Sequence, residues 1–304
     1  MRYLYALINV PFALKKLLFG LLKKFKFLPP PFYVKIYYEY YTGKKLDLDN
    51  PREFNAKIQW LKVYYKNPLL TQLVDKYAVR EYVKEKVGEE YLNELLGVYN
   101  KAGEVDFDAL PDQFVIKGVH GFHFNLIVPD KSKLNRRKAR YLMTKWLSKN
   151  QYYRGGLEWA YKNVPPRLIA EKYLSEMGKA VINDYKFFCF SGIPKFIQID
   201  IGRGIENFRC FYDLDWQKQD FIVGNTEFYP DELSPPENFT EMVEIATKLA
   251  DGFPFVRVDL YNIDGRILFG EMTFYPSDGR NEFRPDEYNR ILGDHIKLPE
   301  PMGA

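Results

Sequence analysis

The sequence predicts an α+β fold with two lobes around one cleft, and three observations carry that expectation. Helix-type patterning dominates to about residue 95. Beyond it, short apolar runs with a period of two come in pairs around turn residues, as in antiparallel sheets. At 304 residues and 36.0 kDa, the chain suits two or three subdomains better than a single small core.

Composition narrows the partners. A hydrophobic content of 46% with 28% charged residues is that of an ordinary folded chain. The net charge of +4 comes without an arginine-rich tract or an aromatic-basic ladder, which argues against nucleic acid. Cys189 and Cys210 are too few for a disulfide framework, and Cys189 sits in a strand-like apolar run. Reduced core cysteines and a cytoplasmic location are therefore expected.

Residues 1–31 form the first unit. Tyr3 to Leu14 carries no charge, and Lys15, Lys16, Lys23, Lys24 and Lys26 follow among Leu and Phe. The stretch is too short to cross a bilayer. It reads either as a basic amphipathic helix on an anionic inner membrane surface or as a helix docked on the domain with its lysines in solvent. Pro29-Pro30-Pro31 ends it. In the helical unit 32–110, Asn50 reads as the cap of a helix with Pro51 in its first turn. Val74 to Val87 reads as one helix, offering Lys76 to a cleft or carrying a merely solvated charged face.

The unit 111–180 opens with strand Phe114–Lys117, a loop containing Gly118, His120, Gly121, Phe122, His123 and Asn125, and a return strand Leu126–Val128. A lysine ending a strand beside a glycine-bearing loop is suited to phosphate, although a tight connection between strands looks the same. His120 and His123 lack the further ligands that zinc requires. Glu171 interrupts the strand Leu168–Leu174. Asp184–Phe190 and Lys195–Ile199 flank a turn at Ser191–Pro194 in the last unit, 181–304. Glu171, Asp184 and Lys186 around one cleft would serve a nucleotide, or form cross-strand ion pairs.

The most informative segment is 255–273. Two apolar strands flank Asp264-Gly265, and each carries an acid, Asp259 and Glu271, with Arg257 on the face of Asp259. Buried acids need a partner cation, either Arg257 or a metal. A two-residue type I′ turn would pair Tyr261 with Leu268 and place the acids on opposite faces. A three-residue turn would pair Arg257 with Glu271 and make Asp259 and Glu271 diagonal neighbours. A shared metal thus predicts the three-residue turn.

Taken in order, Asp75-Lys76-Tyr77, the run Pro111 to Lys117, His120-Gly121 with Asn125, Glu171-Lys172-Tyr173-Leu174, Asp184-Tyr185-Lys186, Arg257 to Tyr261 and Phe269 to Phe274 resemble the TupA-like members of the ATP-grasp superfamily, found among bacterial surface-polysaccharide genes. The resemblance covers about Tyr37 to Leu298. It implies ATP held between two α+β subdomains, with Lys117 on the phosphates and Glu171 and its neighbours at the adenine or ribose edge. Asp259, Glu271 and Thr273 would hold Mg2+, and Arg257 would stabilise the transferred phosphoryl group. Lys76, His120, Gly121, Asn125, Tyr173, Asp184 and Lys186 complete the implied nucleotide contacts. The lid loop departs from the family, which tends to have Ser-Gly where Phe122-His123 stands. Thr273 stands where the wider superfamily commonly has Asn.

The implied reaction is an ATP- and Mg2+-dependent carboxylate–amine ligation through an acyl phosphate, on a surface glycan or its lipid-linked precursor. It needs lysine, arginine and metal-bound acids rather than a nucleophilic side chain, and the chain has no G-x-S-x-G elbow or Walker-type loop. Two alternatives stand beside it. One is a nucleotide-sugar transferase using Asp213-Leu214-Asp215, a triplet repeated at Asp47-Leu48-Asp49. The other is a binding protein whose altered lid loop no longer turns ATP over. Arg280, Asn281 and Arg284 are candidate contacts for an acidic substrate, or plain surface charge.

Overall fold

The computed structural model describes residues 12–175, 182–202 and 208–302. The first eleven residues of the N-terminal segment lie outside that range. Helices α1 (Phe12–Leu22), α2 (Pro30–Thr42), α3 (Phe54–Tyr64), α4 (Leu69–Val74) and α5 (Val79–Lys86) lead the chain. Pro30 opens α2 where a missing N–H costs nothing, and left-handed Gly43 closes it with its N–H on the Glu39 carbonyl at 2.9 Å. Helix α3 starts later than the expected Asn50 cap. Asp47 Oδ1 accepts the Asp49 and Asn50 amides at 2.9 and 3.0 Å, and this Asx turn delays the helix to Phe54. The expected single helix 74–87 is also broken: Asp75 Oδ1 takes the amides of Tyr77 and Ala78, while its Oδ2 accepts from Arg167 Nη2 at 2.7 Å. Lys76 sits in that break, tied by its N–H to the Val119 carbonyl.

A four-stranded antiparallel sheet follows, in the order β1 (Leu95–Tyr99), β4 (Leu168–Lys172), β2 (Phe114–Gly118), β3 (Asn125–Val128). It draws in β1 from within the range 32–110 expected to be helical, because β4 needs a partner on its second edge. Helix α6 (Arg136–Leu147) lays Ala139, Met143 and Trp146 against Phe114, Ile116, Leu168 and Ala170, a spacing that puts all three on one helical face. A short α7 (Gln151–Arg154) follows.

The larger sheet has β5 (Asp184–Phe190), β6 (Ile193–Ile201), β7 (Phe208–Asp213), β10 (Glu227–Phe228), β11 (Phe255–Ile263) and β12 (Arg266–Thr273) in the order β10-β7-β6-β5-β11-β12, with β8 (Lys218–Gln219) on β7. Strand β9 (Ile222–Val223) pairs with β13 (Phe283–Arg284). Helix α8 (Phe239–Ala250) covers one face, where Met242, Ile245 and Leu249 meet Val256, Val258 and Leu260. On the other face α3 sets Phe54 among Phe188, Phe190, Phe255 and Phe283, with ring centroids 5.0–6.5 Å apart. Truncating such a ring to alanine costs about 3–5 kcal/mol. Helix α9 (Glu287–His295) packs on α3. Both cysteines are buried and unbridged, and burial pushes their thiols up.

The β11–β12 hairpin combines features of both anticipated registers. Asp264 and Gly265 both have positive φ, 50° and 79°, and Tyr261 pairs with Leu268, so the two-residue turn forms and the three-residue turn does not. The register then shifts between Asp259 and Leu260, with Gly270 as the extra residue, so Asp259 pairs directly with Glu271 and Arg257 with Thr273. A β-bulge, rather than the turn, brings the acids to one face. A Cβ on Gly270 would lie 3.0 Å from the Asp259 carbonyl oxygen and 3.3 Å from the Tyr261 ring.

Beneath the sheet, Lys62 Nζ meets Asp278 Oδ1 at 2.6 Å with almost no solvent access to either. Gly156 leaves room for this pair, since a Cβ there would fall 2.4 Å from Asp278 Oδ2. Glu158, also buried, is raised to about 8, chiefly by burial and then by Asp278, against the opposing pull of Lys62.

Two outcomes are expected. Gly270→Val should lower stability by about 1–3 kcal/mol through crowding at the bulge, read as a lower denaturant midpoint at unchanged slope. An acid with a raised native pKa costs stability as pH rises from its unfolded value to its native one. Glu158 thus lowers stability between about 4.5 and 8, and Glu158→Gln should flatten that decline in a series of melts across the window.

Candidate active site between the two sheets

Cross-strand pairing makes the site legible as rows. Directly paired residues point to the same face, so the floor of the cleft on the larger sheet carries Glu271, Asp259, Lys186 and Gln198 in one row. Beside it runs a second row of Tyr261, Asp184, Asp200 and Arg209. The roof on the smaller sheet has Leu95, Glu171, Val115 and Ile127 in one row and Val98, Ile169, Lys117 and Asn125 in the next.

Two pairs of acids oppose each other across adjacent strands, an arrangement that repels unless a cation intervenes. Lys186 Nζ lies 2.6 Å from Asp184 Oδ2 and 2.9 Å from Asp200 Oδ2. Arg209 Nε reaches Asp200 Oδ1 at 2.6 Å. Burial would raise Asp200, but Lys186 and Arg209 outweigh it and hold the carboxyl below the usual range. Between the other two acids stands Arg257. It grips Asp259 with Nε on Oδ1 and Nη2 on Oδ2, both at 2.6 Å. The same Nη2 lies 3.1 Å from Thr273 Oγ1 and 3.5 Å from Glu271 Oε1.

The two acids respond differently. Burial pushes Asp259 up to about 6 in spite of Arg257. Glu271 lies deep in the cleft yet keeps 41% of its side-chain surface accessible. Burial alone would raise it, and Lys76, Arg257, Lys186 and Lys117 together bring it to about 2. Lys76 Nζ stands 3.6 Å from Glu271 Oε2 and donates to the Gly121 carbonyl at 3.2 Å, joining floor to lid loop. From the roof, Lys117 Nζ pairs with Glu171 Oε2 at 2.7 Å, and Arg80 Nη1 lies 3.4 Å from Glu171 Oε1.

Lys117, Asn125, Glu171, Asp184, Lys186, Arg257, Asp259, Glu271 and Thr273 therefore line the two faces, as their strand positions require, and Lys76 reaches them from the break between α4 and α5. His120 does not. It is 2% exposed, its Nε2 is 2.9 Å from the Trp146 carbonyl oxygen, its ring lies against Phe124, and burial lowers its pKa. It is part of the lid's core. Gly121 offers its carbonyl to Lys76, and the Gly118 and Val119 amides are taken by the Phe124 and Arg167 carbonyls, so those two amides are no phosphate cradle. Tyr173 follows β4 and lines a cavity of about 1140 Å3 beside Pro111 and Gln113. Left-handed His123, at φ 61°, holds the backbone shape glycine takes freely. Arg284 is spent on the Gly224 and Thr226 carbonyls.

Gln198, Asp200, Arg209 and Arg80 went unread in the sequence. The alternation Ile197-Gln198-Ile199-Asp200 is the signal that marks two of them. Asp213 lies outside the cleft's rows: its Oδ1 accepts the amides of Asp215 and Gln217, as Asp47 does for Asp49 and Asn50. Both Asp-Leu-Asp triplets serve turns.

The oxygens of Asp259, Glu271 and Thr273 converge on one cationic nitrogen, and hard oxygen donors of this kind fit a magnesium ion. Among the described residues no group of three or more His, Cys, Asp or Glu is placed to hold a metal. Two carboxylates are what magnesium commonly takes from a protein when phosphates and water supply the rest.

The family model for TupA-like ATPgrasp matches residues 56–297. No curated protein matches the chain. Among solved structures, the chain is similar to D-alanine–D-alanine ligase from Bacillus anthracis at 15% identity and a TM-score of 0.41, covering 68% of this chain and 59% of that one. The same ligase complexed with ATP gives 15% identity and a TM-score of 0.43, over 81% and 72%. The ATP-grasp ligase PsnB, complexed with minimal precursor, Mg and ADP, gives 14% and 0.39, over 79% and 64%. The chain thus spans 59% to 72% of the lengths of these structures. With a match that takes in every floor row and most of both sheets, this chain belongs to the TupA-like ATP-grasp family.

Proposed function

We propose that the protein is an ATP-dependent ligase that activates a carboxylate as an acyl phosphate and joins it to an amine in surface-polysaccharide biosynthesis. The observation that carries this reading is the cationic Arg257 Nη2 held among the oxygens of Asp259, Glu271 and Thr273, in a cleft into which Lys76 and Lys117 also project. Asp259, Glu271 and Thr273 would hold magnesium, which when bound neutralises phosphate charge and orients the β- and γ-phosphates. Lys117 and Lys76 are flexible point charges within reach of a triphosphate laid between the sheets. Lys186, locked between Asp184 and Asp200, acts through its field by lowering Glu271.

In the first step a substrate carboxylate oxygen attacks the γ-phosphorus, and the bond to the bridging oxygen breaks to release ADP. In the second, an amine attacks the acyl carbon, phosphate departs, and the amine loses a proton. Arg257 bears on the first step. Its planar fork, now spent on Asp259, suits the equatorial oxygens of a transferring phosphoryl group. The chain supplies position and charge, and no side chain forms a covalent bond.

Calorimetric titration with a non-hydrolysable ATP analogue and magnesium tests the reading. Asp259→Asn and Glu271→Gln should each abolish magnesium-dependent binding, while Asp213→Asn binds as wild type does. Loss in the Asp213 variant with retention in the other two would favour the nucleotide-sugar alternative and sink this one.

We infer in addition that α1 rests on an anionic membrane surface. Of the five lysines in and just after α1, three turn back onto the domain. Lys15 pairs with Glu39, Lys23 lies 3.7 Å from the Tyr40 ring centroid, and Lys26 donates to the Gly155 carbonyl. The outer face instead shows Leu14, Leu17 and Leu21 at 56%, 72% and 54% exposure, with Phe27 at 82% and Lys16 and Lys24 beside them. No helix among the described residues is long and apolar enough to cross a membrane. A leucine moved from water into an apolar phase is worth about 1.5–3 kcal/mol, so Leu17→Glu should weaken co-sedimentation with phosphatidylglycerol vesicles at least about tenfold. Equal sedimentation of variant and wild type would refute the assignment.

A further inference from the structure

A cavity of about 690 Å3 opens between the C-terminal end of α2, the start of α3, the loop after β9 and the start of α9. Its walls are rich in amides, with Asn55, Asn225, Asn281 and Asn289 among them, and Tyr38 and Tyr41 alongside. Apart from exposed Glu282, the charges at its walls are matched. Lys44 Nζ lies 2.7 Å from both oxygens of Asp286, and Arg280 donates to Asp278 at 3.3 Å while its guanidinium stacks 4.2 Å from the Tyr41 ring centroid. A volume lined mainly by paired charges and neutral amides favours hydrogen-bonding capacity over ligand charge.

Asn55 is the second, independent observation. It is 2% exposed, its N–H donates to Asn289 Oδ1 at 3.1 Å, and its Nδ2 donates to the Asn281 carbonyl at 2.6 Å. Asn289 is itself fixed by donating to Glu53 Oε2 at 2.9 Å. The remaining polar atom, Asn55 Oδ1, has no hydrogen-bond partner although the residue lines the cavity. A buried acceptor left unpaired costs about 1–3 kcal/mol. Asn55 and Asn289 are each tied by two hydrogen bonds, so the acceptor is set in place before any ligand arrives. A hydroxyl satisfies that position whichever way the amide is turned, since it both donates and accepts.

We propose that this cavity is a binding site for a neutral, hydroxyl-rich ligand of the sugar class, with Asn55 as its buried anchor and Asn225 and Asn281 as further contacts. Several amides around one pocket meet neighbouring hydroxyls of a sugar ring with paired donors and acceptors, and the Tyr41 edge offers an apolar surface to the ring carbons. The proposal does not depend on the nucleotide cleft, because none of these residues belongs to its rows.

Saturation-transfer NMR on the full chain, with glucose, N-acetylglucosamine and glycerol as separate probes, tests it, and calorimetry gives the affinities. At least one of the sugars should receive saturation and glycerol should not. Asn225→Ala, on an exposed loop, and Asn281→Ala should each weaken binding about tenfold at unchanged melting temperature. Lys117→Ala should bind the sugar as wild type does. Absence of transfer to both sugars overturns the proposal, as does transfer that persists in the Asn225→Ala, Asn281→Ala double variant. Titrating the ATP analogue into the same samples reads the ligase assignment separately, so either can fail alone.

Discussion

Like charges placed opposite one another on adjacent strands are the constraint around which the cleft is organised. Carboxylates so close in a partly dry space either neutralise one member or trap a cation. The protein traps cations at both places, Lys186 between Asp184 and Asp200 and Arg257 between Asp259 and Glu271. The two traps differ in openness. Lys186 and its acids are nearly closed to water, whereas Glu271 remains accessible and Arg257 reaches it only at 3.5 Å. The first is closed architecture, and the second is the one the proposed function assigns to an exchanging ion.

The rest of the fold serves that contrast. Helix α8 takes up the apolar face of the sheet, so the opposite face is left for charge. Phe54 and its ring partners fill the lower part of that face and confine the charged rows to the part beneath the smaller sheet. The smaller sheet keeps its own core against α6, and its roof is free to carry Lys117 and Glu171.

Much of this was legible in the sequence because period-two patterns tell faces apart. The acids of β11 and β12, the lysine ending β2 and the glutamate inside β4 all broke apolar runs at positions where nothing apolar needed to be. What escaped were features set by one residue against another far away. The turn at Asp264-Gly265 was readable, but no local signal announced that Gly270 would slip the register, so the acids expected as diagonal neighbours stand directly opposite each other. The helix expected from Val74 to Val87 broke because Asp75 finds Arg167, ninety-two positions on. His120 looked available beside a glycine until the Trp146 carbonyl and Phe124 claimed it. The lysines around α1 were read as facing either a membrane or solvent, and aromatic rings of α2 drew Lys23 and Lys26 inward.

The Arg257 fork has one more implication. A protein that carries its own counter-ion at the convergence of its ligand oxygens does not need a metal supply in order to fold. Zinc-dependent small domains collapse when a chelator strips them. Under the proposed magnesium site, chelation would leave an intact, dormant form, and ion availability would govern only how much of the population is primed for work, never how much of it survives.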